Sequence, residues 1–234
     1  MNTVRNIVKS VFSTRICRFL LAQHRALIFW WAMKRFLRDP EACINPGSSV
    51  IANLVYGWGN KSWSALEEYL GCCIRHALSS SGPVLECGSG LSTILIGLIA
   101  QRRGYSHWTL EHAPEWADKV QRYLNRYGID SVVLCVRPLK DYNGFSWYNP
   151  PLESMPNSFT LVICDGPPAG TLGGRYGLVP IMRARLKPGC ILLLDDAARE
   201  EEQAIASRWE AELGAHSEIF GFRQPYIKMT VGKG

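Results

Sequence analysis

From residue 83 to the C-terminus, short apolar runs alternate with helical stretches, and this alternation constrains the fold more than any other feature. Five runs are typical of buried strands, at residues 84–87, 108–111, 131–136, 159–164 and 190–194. The runs at 218–222 and 226–231 predict a terminal hairpin. Strands separated by helices require right-handed crossovers and form a mostly parallel sheet. The pattern predicts a doubly wound α/β domain at 83–234, preceded by an N-terminal helical extension at 1–82.

A glycine-rich turn follows the first of these strands. In a sheet of this kind, ligands bind beyond the carboxyl ends of the strands, where the strand order reverses. Gly88 and Gly90 allow the backbone to turn tightly and to approach a ligand closely. A dinucleotide fingerprint would carry a third glycine at position 93, where Thr93 stands. Taken alone, the turn is equally well explained as a tight connection between a strand and a helix.

Two acidic residues beside the turn indicate which ligand it binds. Glu111 ends the second strand, where a carboxylate can accept hydrogen bonds from both hydroxyls of a ribose. Glu86 precedes the glycines and can meet a cationic amino group, because a buried carboxylate without a partner is costly. A ligand that has a ribose and an ammonium group but no pyrophosphate is S-adenosylmethionine.

Five segments in order resemble the motifs of class I S-adenosylmethionine-dependent methyltransferases. They are LECGSGLST (85–93), LEH (110–112), VICDGPP (162–168), RY (175–176) and LKPG (186–189), which leads to LDD (194–196). The resemblance covers residues 83–231 and implies seven strands in the order 3-2-1-4-5-7-6. It implies that the glycine turn surrounds the methionine moiety, that Glu111 binds the ribose and that His112 lies near the adenine. The candidate cofactor-binding residues are Glu86, Gly88, Ser89, Gly90, Ser92, Thr93, Glu111 and His112.

Three further carboxylates follow the fourth and fifth strands of the predicted sheet. Asp165 ends one strand, and Asp195 and Asp196 end its neighbour, so the three can converge beside the methyl group. Oxygen-rich clusters suit Mg²⁺, and divalent-metal O-methyltransferases are similar in placing acidic ligands after these strands. Pro167 and Pro168 stand where related enzymes that act on sugars carry a further acid. In the alternative, Asp165 faces the cofactor or the substrate, and Asp195 or Asp196 caps a helix.

The reaction that we expect is methyl transfer from S-adenosylmethionine to a small-molecule acceptor, with oxygen favoured over nitrogen. Alignment of donor and acceptor supplies most of the acceleration, and Asp165 as a base, or a metal ion, supplies the rest. A nicotinamide-dependent oxidoreductase on a similar sheet is an alternative, against which Thr93 argues. A second alternative is a non-catalytic, membrane-associated protein that keeps the nucleotide pocket. Arg175, in a loop rich in glycine, binds an acidic substrate, closes a lid or starts an exposed helix.

The cysteines indicate a reducing, cytoplasmic compartment. No CxxC pair is present, so we expect neither a zinc site nor a disulfide framework. Most of the eight cysteines stand in or beside apolar segments or next to each other, where a free thiol behaves as a small hydrophobe. These are Cys72, Cys73, Cys87, Cys135, Cys164 and Cys190.

The positive charge of the chain is concentrated at the N-terminus. Residues 1–40 carry eight basic side chains against one acidic side chain, so the chain offers no uniformly basic surface for nucleic acid. A helix is predicted at 16–37, ended by Asp39 and Pro40. The segment either lies on a membrane surface as a peripheral contact, or packs as a substrate lid or in a homodimer. We favour the lid or dimer, because the apolar residues at 26–33 cover most of the helix circumference.

Overall fold

The chain forms two compact units, Met1–Trp63 and Ser64–Gly234. The computed structural model describes residues 14–45, 47–59 and 65–232, with only the backbone described at positions 14 and 15. Residues 1–13 of the basic N-terminal segment therefore lie outside the described residues.

The first unit contains the helices α1 (Thr14–Arg38), α2 (Pro40–Cys43) and α3 (Val50–Trp58). Helix α1 ends where the sequence predicts, because the Asp39 carboxylate accepts a hydrogen bond from the backbone of Ala42 (3.0 Å) and so begins α2. Helices α1 and α3 approach closely at Gly57, where a Cβ atom would lie 2.6 Å from that of Phe29. Among the described residues, no helix is long and apolar enough to cross a membrane.

The second unit contains the sheet and the helices that cover it. The helices are α4 (Glu67–Ser79), α5 (Leu91–Arg103), α6 (Pro114–Tyr127), α7 (Leu178–Met182) and α8 (Glu200–Leu213). The strands are β1 (Val84–Cys87), β2 (His107–Glu111), β3 (Val132–Val136), β4 (Lys140–Asp141), β5 (Ser146–Trp147), β6 (Phe159–Cys164), β7 (Leu186–Leu194), β8 (His216–Phe220) and β9 (Tyr226–Thr230). Short 3₁₀ turns lie at Leu152–Ser154 and Arg183–Arg185.

The boundary between the units differs from the one that the sequence suggests. It falls after Trp63, whereas we expected it between residues 82 and 83. Helix α4 belongs with the sheet, because the Tyr69 hydroxyl donates a hydrogen bond to the carbonyl of Leu193 in β7 (2.9 Å). The Glu68 carboxylate also accepts backbone N–H groups at 222–224, in the turn between β8 and β9.

The main sheet has the strand order β3-β2-β1-β6-β7-β9-β8. Strand β1 pairs in parallel with β2 and β6, and parallel pairing extends outward to β3 and β7. Strand β9 runs antiparallel between β7 and β8, while β4 and β5 form a separate hairpin. When that hairpin is left out, the order is the predicted 3-2-1-4-5-7-6. The predicted fold class and strand order are therefore confirmed.

The central strands are buried on both faces, which explains why they are unbroken apolar runs in the sequence. On one face, Leu85, Val162 and Leu192 belong to a single buried cluster with Val179 of α7 and Trp209 of α8. This packing fixes the ends of β1, β6 and β7 relative to one another, and the polar residues that follow those strands lie at one edge of the sheet.

We expect two glycines in the middle of helices to respond oppositely to alanine. A Cβ atom at Gly97 in α5 would lie 2.5 Å from the Val132 side chain and 2.9 Å from that of Ile129, whereas nothing lies within 4 Å of one at Gly71 in α4. Gly97→Ala should therefore lower the free energy of unfolding by about 1–3 kcal/mol through overpacking. Gly71→Ala should raise it by about 0.5–1 kcal/mol through helix propensity. Urea denaturation measures both, and a stabilised Gly97→Ala would contradict the packing.

Candidate active site

The candidate site lies at the carboxyl ends of β2, β1, β6 and β7, where the strand order reverses between β1 and β6. The parallel register places Cys87 beside Leu110 on one side and Cys164 on the other, and Cys164 beside Leu194. The loops that follow these residues carry the predicted site residues. The fold therefore brings the glycine turn, Glu111 and the aspartates to one edge, as the sequence predicts.

The turns after β1 and β6 touch through their glycines. Gly88 has a φ of +91°, and a Cβ atom there would lie 3.2 Å from the backbone nitrogen of Gly166. At Gly166, a Cβ atom would collide with the Tyr148 hydroxyl. Only glycine fits this contact, because Gly88 needs the left-handed conformation and both positions lack room for a side chain. The first glycine of the turn thus serves the packing of two loops.

Gly90 faces open space, in contrast to Gly88. Among the described residues, apart from its two chain neighbours, no atom lies within 4 Å of a Cβ atom built on it. Its backbone N–H donates to the Thr93 hydroxyl (2.8 Å), and Thr93 and Ser92 are both buried at the start of α5. Thr93, which stands in place of a third glycine, therefore holds the turn closed. The space beside Gly90 is therefore open at the same edge of the sheet.

Glu111 ties the glycine turn to the loop after β2. One carboxylate oxygen accepts hydrogen bonds from the backbone N–H of Ser89 (3.0 Å) and from the Ser89 hydroxyl (2.7 Å). The other accepts from the backbone of His112 (2.7 Å) and Ala113 (2.8 Å). The carboxylate lies where the sequence predicts a ribose acceptor, and of these four donors only the Ser89 hydroxyl can turn away without movement of the backbone.

Glu86 lies deeper than the turn that it precedes. Its side chain is fully buried, and its Oε2 atom accepts a hydrogen bond from the Thr109 hydroxyl (3.0 Å) and lies 3.1 Å from Nε2 of His107. The other oxygen, Oε1, has no hydrogen-bond partner in the described part of the chain. The fold thus gives Glu86 two partners on β2, which position the end of β1 beneath the turn.

Aromatic residues border the glycine turn. The Trp116 indole N–H donates to the Ser89 carbonyl (2.7 Å), and the rings of His112 and Tyr148 lie edge to face at 6.2 Å. The sequence placed His112 here, whereas Tyr148 and Trp116 were not among the predicted site residues. The signal for Trp116 was its position in the first turn of the helix that follows Glu111.

The buried guanidinium of Arg175 lies among the acidic residues. It donates to the backbone carbonyls of Asp195 (2.7 Å) and Asp165 (2.8 Å), and to the Asp196 carboxylate (2.8 Å). It also lies 3.4 Å from the Asp165 carboxylate and 3.7 Å from that of Glu202. Arg175 is 2% exposed, so the exposed helix start considered from the sequence is wrong. Glu202 was not recognised in the sequence either.

The arrangement does not fit the predicted Mg²⁺ site. Asp165, Asp195 and Asp196 do lie near one another, but the Arg175 guanidinium occupies the position between their loops. The Asp195 carboxylate instead accepts the backbone N–H of Asp196 (2.8 Å). In the ranges that the structure describes, no group of three or more acidic, histidine or cysteine side chains is arranged to hold a metal ion. The positive charge of the Arg175 side chain, and not that of a metal ion, compensates the negative charge of these carboxylates.

Burial and mutual repulsion raise the pKa of two carboxyl groups in the cluster, Asp165 and Asp195, while the arginine stays charged. Burial, reinforced by the Asp195 carboxylate, raises the pKa of Asp165 well above its usual range, although Arg175 opposes the shift. Burial and the neighbouring Asp196 raise the pKa of Asp195 to about 6. Burial alone would lower the pKa of Arg175, but the carboxylates of Asp165 and Glu202 outweigh it and raise that pKa. Asp165 is therefore a stronger base than an exposed aspartate.

Comparison with known proteins identifies the fold. No family model matches the sequence, and no curated protein matches it. The precorrin-6Y C5,15-methyltransferase from Geobacter metallireducens is 15% identical, with 74% of this chain and 92% of that chain covered and a TM-score of 0.54. A methyltransferase from Podospora anserina, solved with S-adenosylhomocysteine, is 14% identical, with coverages of 81% and 98% and a TM-score of 0.51. An O-methyltransferase from Bacillus cereus, also solved with S-adenosylhomocysteine, is 16% identical, with coverages of 80% and 92% and a TM-score of 0.50. The chain therefore has the Rossmann-like fold of class I S-adenosylmethionine-dependent methyltransferases.

Removal of the Arg175 guanidinium should create a site that binds a metal ion. Arg175→Ala leaves the carboxylates uncompensated, so we expect a loss of about 3–5 kcal/mol of stability and a new increase in melting temperature with Mn²⁺ or Ca²⁺. Arg199→Ala is the matched control, because Arg199 is 46% exposed and pairs with the same Asp196 carboxylate (2.9 Å). It should gain no response to metal, and neither should Arg175→Lys.

The wild-type protein provides a test that does not depend on the folding of the alanine variant. Its melting temperature should be unchanged by a chelator and by added Mg²⁺. A clear stabilisation of the wild type by Mg²⁺ would contradict the conclusion that Arg175 takes the place of a metal ion among the carboxylates.

Proposed function

We propose that the chain is a methyltransferase that uses S-adenosylmethionine to methylate a small-molecule acceptor, with an oxygen nucleophile favoured. The observation that carries the proposal is a combination of three features. They are a glycine turn with open space beside Gly90, the Glu111 carboxylate at the end of β2, and Asp165, whose pKa is raised, at the end of β6. These groups share one edge of a class I methyltransferase sheet. In open sheets of this kind, that edge is where ligands bind.

The residues present fit S-adenosylmethionine. The open space beside Gly90 can admit the ligand. Rotation of the Ser89 hydroxyl away from Glu111 would free an acceptor for the ribose hydroxyls. The rings of His112 and Tyr148 would border the adenine. When bound, the cofactor would supply an electrophilic methyl group.

Asp165 is the group that we propose as the base. Its side chain is 25% exposed, while its backbone carbonyl is held by Arg175. The Asp165 carboxylate would orient the acceptor hydroxyl and take up its proton during transfer of the methyl group that the bound cofactor would supply. Arg175 would position this carboxylate by fixing the loop on which it stands. Alignment of the acceptor with the methyl group supplies most of the acceleration in such transfers.

The alternatives have less support. A nicotinamide dinucleotide needs a glycine where Thr93 instead bonds to Gly90. The Asp165 carboxyl combines a raised pKa with a partly exposed side chain at the edge of the sheet where ligands bind, which favours an enzyme over a binding protein without catalysis. We also propose a cytoplasmic location, because all eight cysteines are free thiols and six of them are buried.

Gly90→Val is the sharpest test of cofactor binding. A Cβ atom at Gly90 has no described atom within 4 Å apart from those of its chain neighbours, and the φ of 178° is extended backbone, so the variant should fold with a melting temperature close to that of the wild type. Affinity for S-adenosylmethionine should fall more than tenfold, about 1.4 kcal/mol, in calorimetric titration. Gly170→Val, at another open loop position, is the control and should bind normally. Glu111→Ala should also bind weakly, but it removes hydrogen bonds that hold the turn. Wild-type affinity in Gly90→Val would contradict the proposed pocket.

Asp165→Asn tests the base. We expect turnover to fall about 100-fold or more, because general-base catalysis is lost, while affinity for S-adenosylmethionine stays nearly unchanged. In the wild type, turnover should decrease as the pH falls through the raised pKa of Asp165, and the variant should lack this acid limb. Transfer of radiolabelled methyl groups to a panel of small phenols and alcohols measures both. Asp118→Asn, exposed on α6, is the control, and full activity of Asp165→Asn would exclude the base.

A further inference from the structure

Helix α1 presents two apolar faces, and in the part of the chain that the structure describes only one of them is buried. Phe29, Ala32, Met33 and Phe36 are buried and repeat at helical spacing along one face. Opposite them runs a second set at helical spacing, here called the outer stripe, whose side chains are between 37% and 62% exposed. The outer stripe consists of Phe19, Leu20, Leu27, Trp30 and Trp31. The apolar run at 26–33 is therefore divided between a buried and an exposed face.

The same helix is strongly basic. It contains no acidic residue, and Lys34, Arg35 and Arg38 are exposed in its last turns. The Lys34 ammonium lies 3.8 Å from the centroid of the Trp30 ring, so charge and aromatic surface meet at the end of the outer stripe. An exposed apolar surface that is bordered only by positive charges is unusual for a face that contacts only water.

We propose that the outer stripe docks on a membrane surface that contains anionic phospholipid. The apolar side chains would enter the boundary between headgroups and acyl chains, as amphipathic helices do when they lie in the plane of a membrane. The two tryptophans suit that boundary, because their rings are apolar and carry one polar N–H group. Lys34, Arg35 and Arg38 would lie at the anionic headgroups.

The charge of α1 favours a membrane over a second copy of the chain. A symmetric contact through the outer stripe would bring together two basic helices without an acidic residue on either, and their repulsion would oppose association. An anionic bilayer complements both the charge and the apolar surface. This inference concerns the first compact unit alone and does not depend on methyl transfer.

Vesicle co-sedimentation with the full chain tests the proposal. Vesicles of phosphatidylcholine alone are compared with vesicles that contain about 30% phosphatidylglycerol. We expect binding to the anionic vesicles only, and weaker binding at about 1 M salt, where headgroup charges are screened. Leu27→Gln/Trp31→Gln should reduce the affinity at least tenfold. Lys34→Glu/Arg38→Glu should do the same, because it places acidic groups at the headgroups.

Matched controls separate the outer stripe from exposed apolar or basic surface in general. Ile219→Gln/Phe222→Gln removes side chains that are 58% and 94% exposed in the β8–β9 hairpin, and Arg122→Glu/Arg126→Glu reverses two exposed charges on α6. Both should bind anionic vesicles within about twofold of the wild type. All substitutions are at exposed positions, and unchanged melting temperatures would confirm that the variants fold.

Three outcomes would overturn the proposal. The first is a wild-type chain that stays in the supernatant with anionic vesicles. The second is equal binding by wild type and Leu27→Gln/Trp31→Gln, or loss of binding in the hairpin control. The third is a wild-type dimer in sedimentation analysis that Leu27→Gln/Trp31→Gln makes monomeric without any binding to vesicles, which would assign the outer stripe to a second copy.

Discussion

The guanidinium of Arg175 is the group around which the acidic edge of the sheet is organised. A buried charge is costly unless hydrogen bonds and opposite charges surround it, and here two backbone carbonyls and the Asp196 carboxylate bond to it directly. These contacts fix the loops after β6 and β7, and Glu202 adds the first turn of α8. The carboxylate of Asp165 thus stands on a loop with a defined position, and its raised pKa follows from burial, reinforced by the neighbouring acidic groups.

The fold and the location of the site could be predicted because both depend on patterns that the chain carries locally. Buried parallel strands read as apolar runs, and whatever follows such strands must lie at one edge of the sheet. Glu111, Asp165 and the glycine turn therefore lie at the predicted edge. The sheet order followed from the same pattern through the family resemblance. These predictions needed only the type and order of residues, without knowledge of any contact between distant side chains.

The contacts within the site could not be predicted, because they join residues that are far apart in the sequence. Arg175 stands in a glycine-rich loop without periodicity, so nothing in the sequence placed it among the aspartates. Without that cation, the three carboxylates suggested a magnesium site. The sequence of helix α4 likewise did not indicate that the Tyr69 hydroxyl donates a hydrogen bond to β7. The apolar run at 26–33 was too short to show that its residues divide between two faces of α1.

Because the Trp116 indole donates a hydrogen bond to the Ser89 carbonyl, the fluorescence of Trp116 reports on the glycine turn. Tryptophan fluorescence responds to the polarity and hydrogen bonding around the indole, and this indole is joined to the residue whose hydroxyl contacts Glu111. Rearrangement of the turn therefore changes the surroundings of a natural fluorophore. The other seven tryptophans contribute background fluorescence. Subtraction of the signal of a Trp116→Phe variant from that of the wild type leaves the contribution of Trp116. Occupancy of the turn can thus be followed in stopped-flow experiments without an attached label.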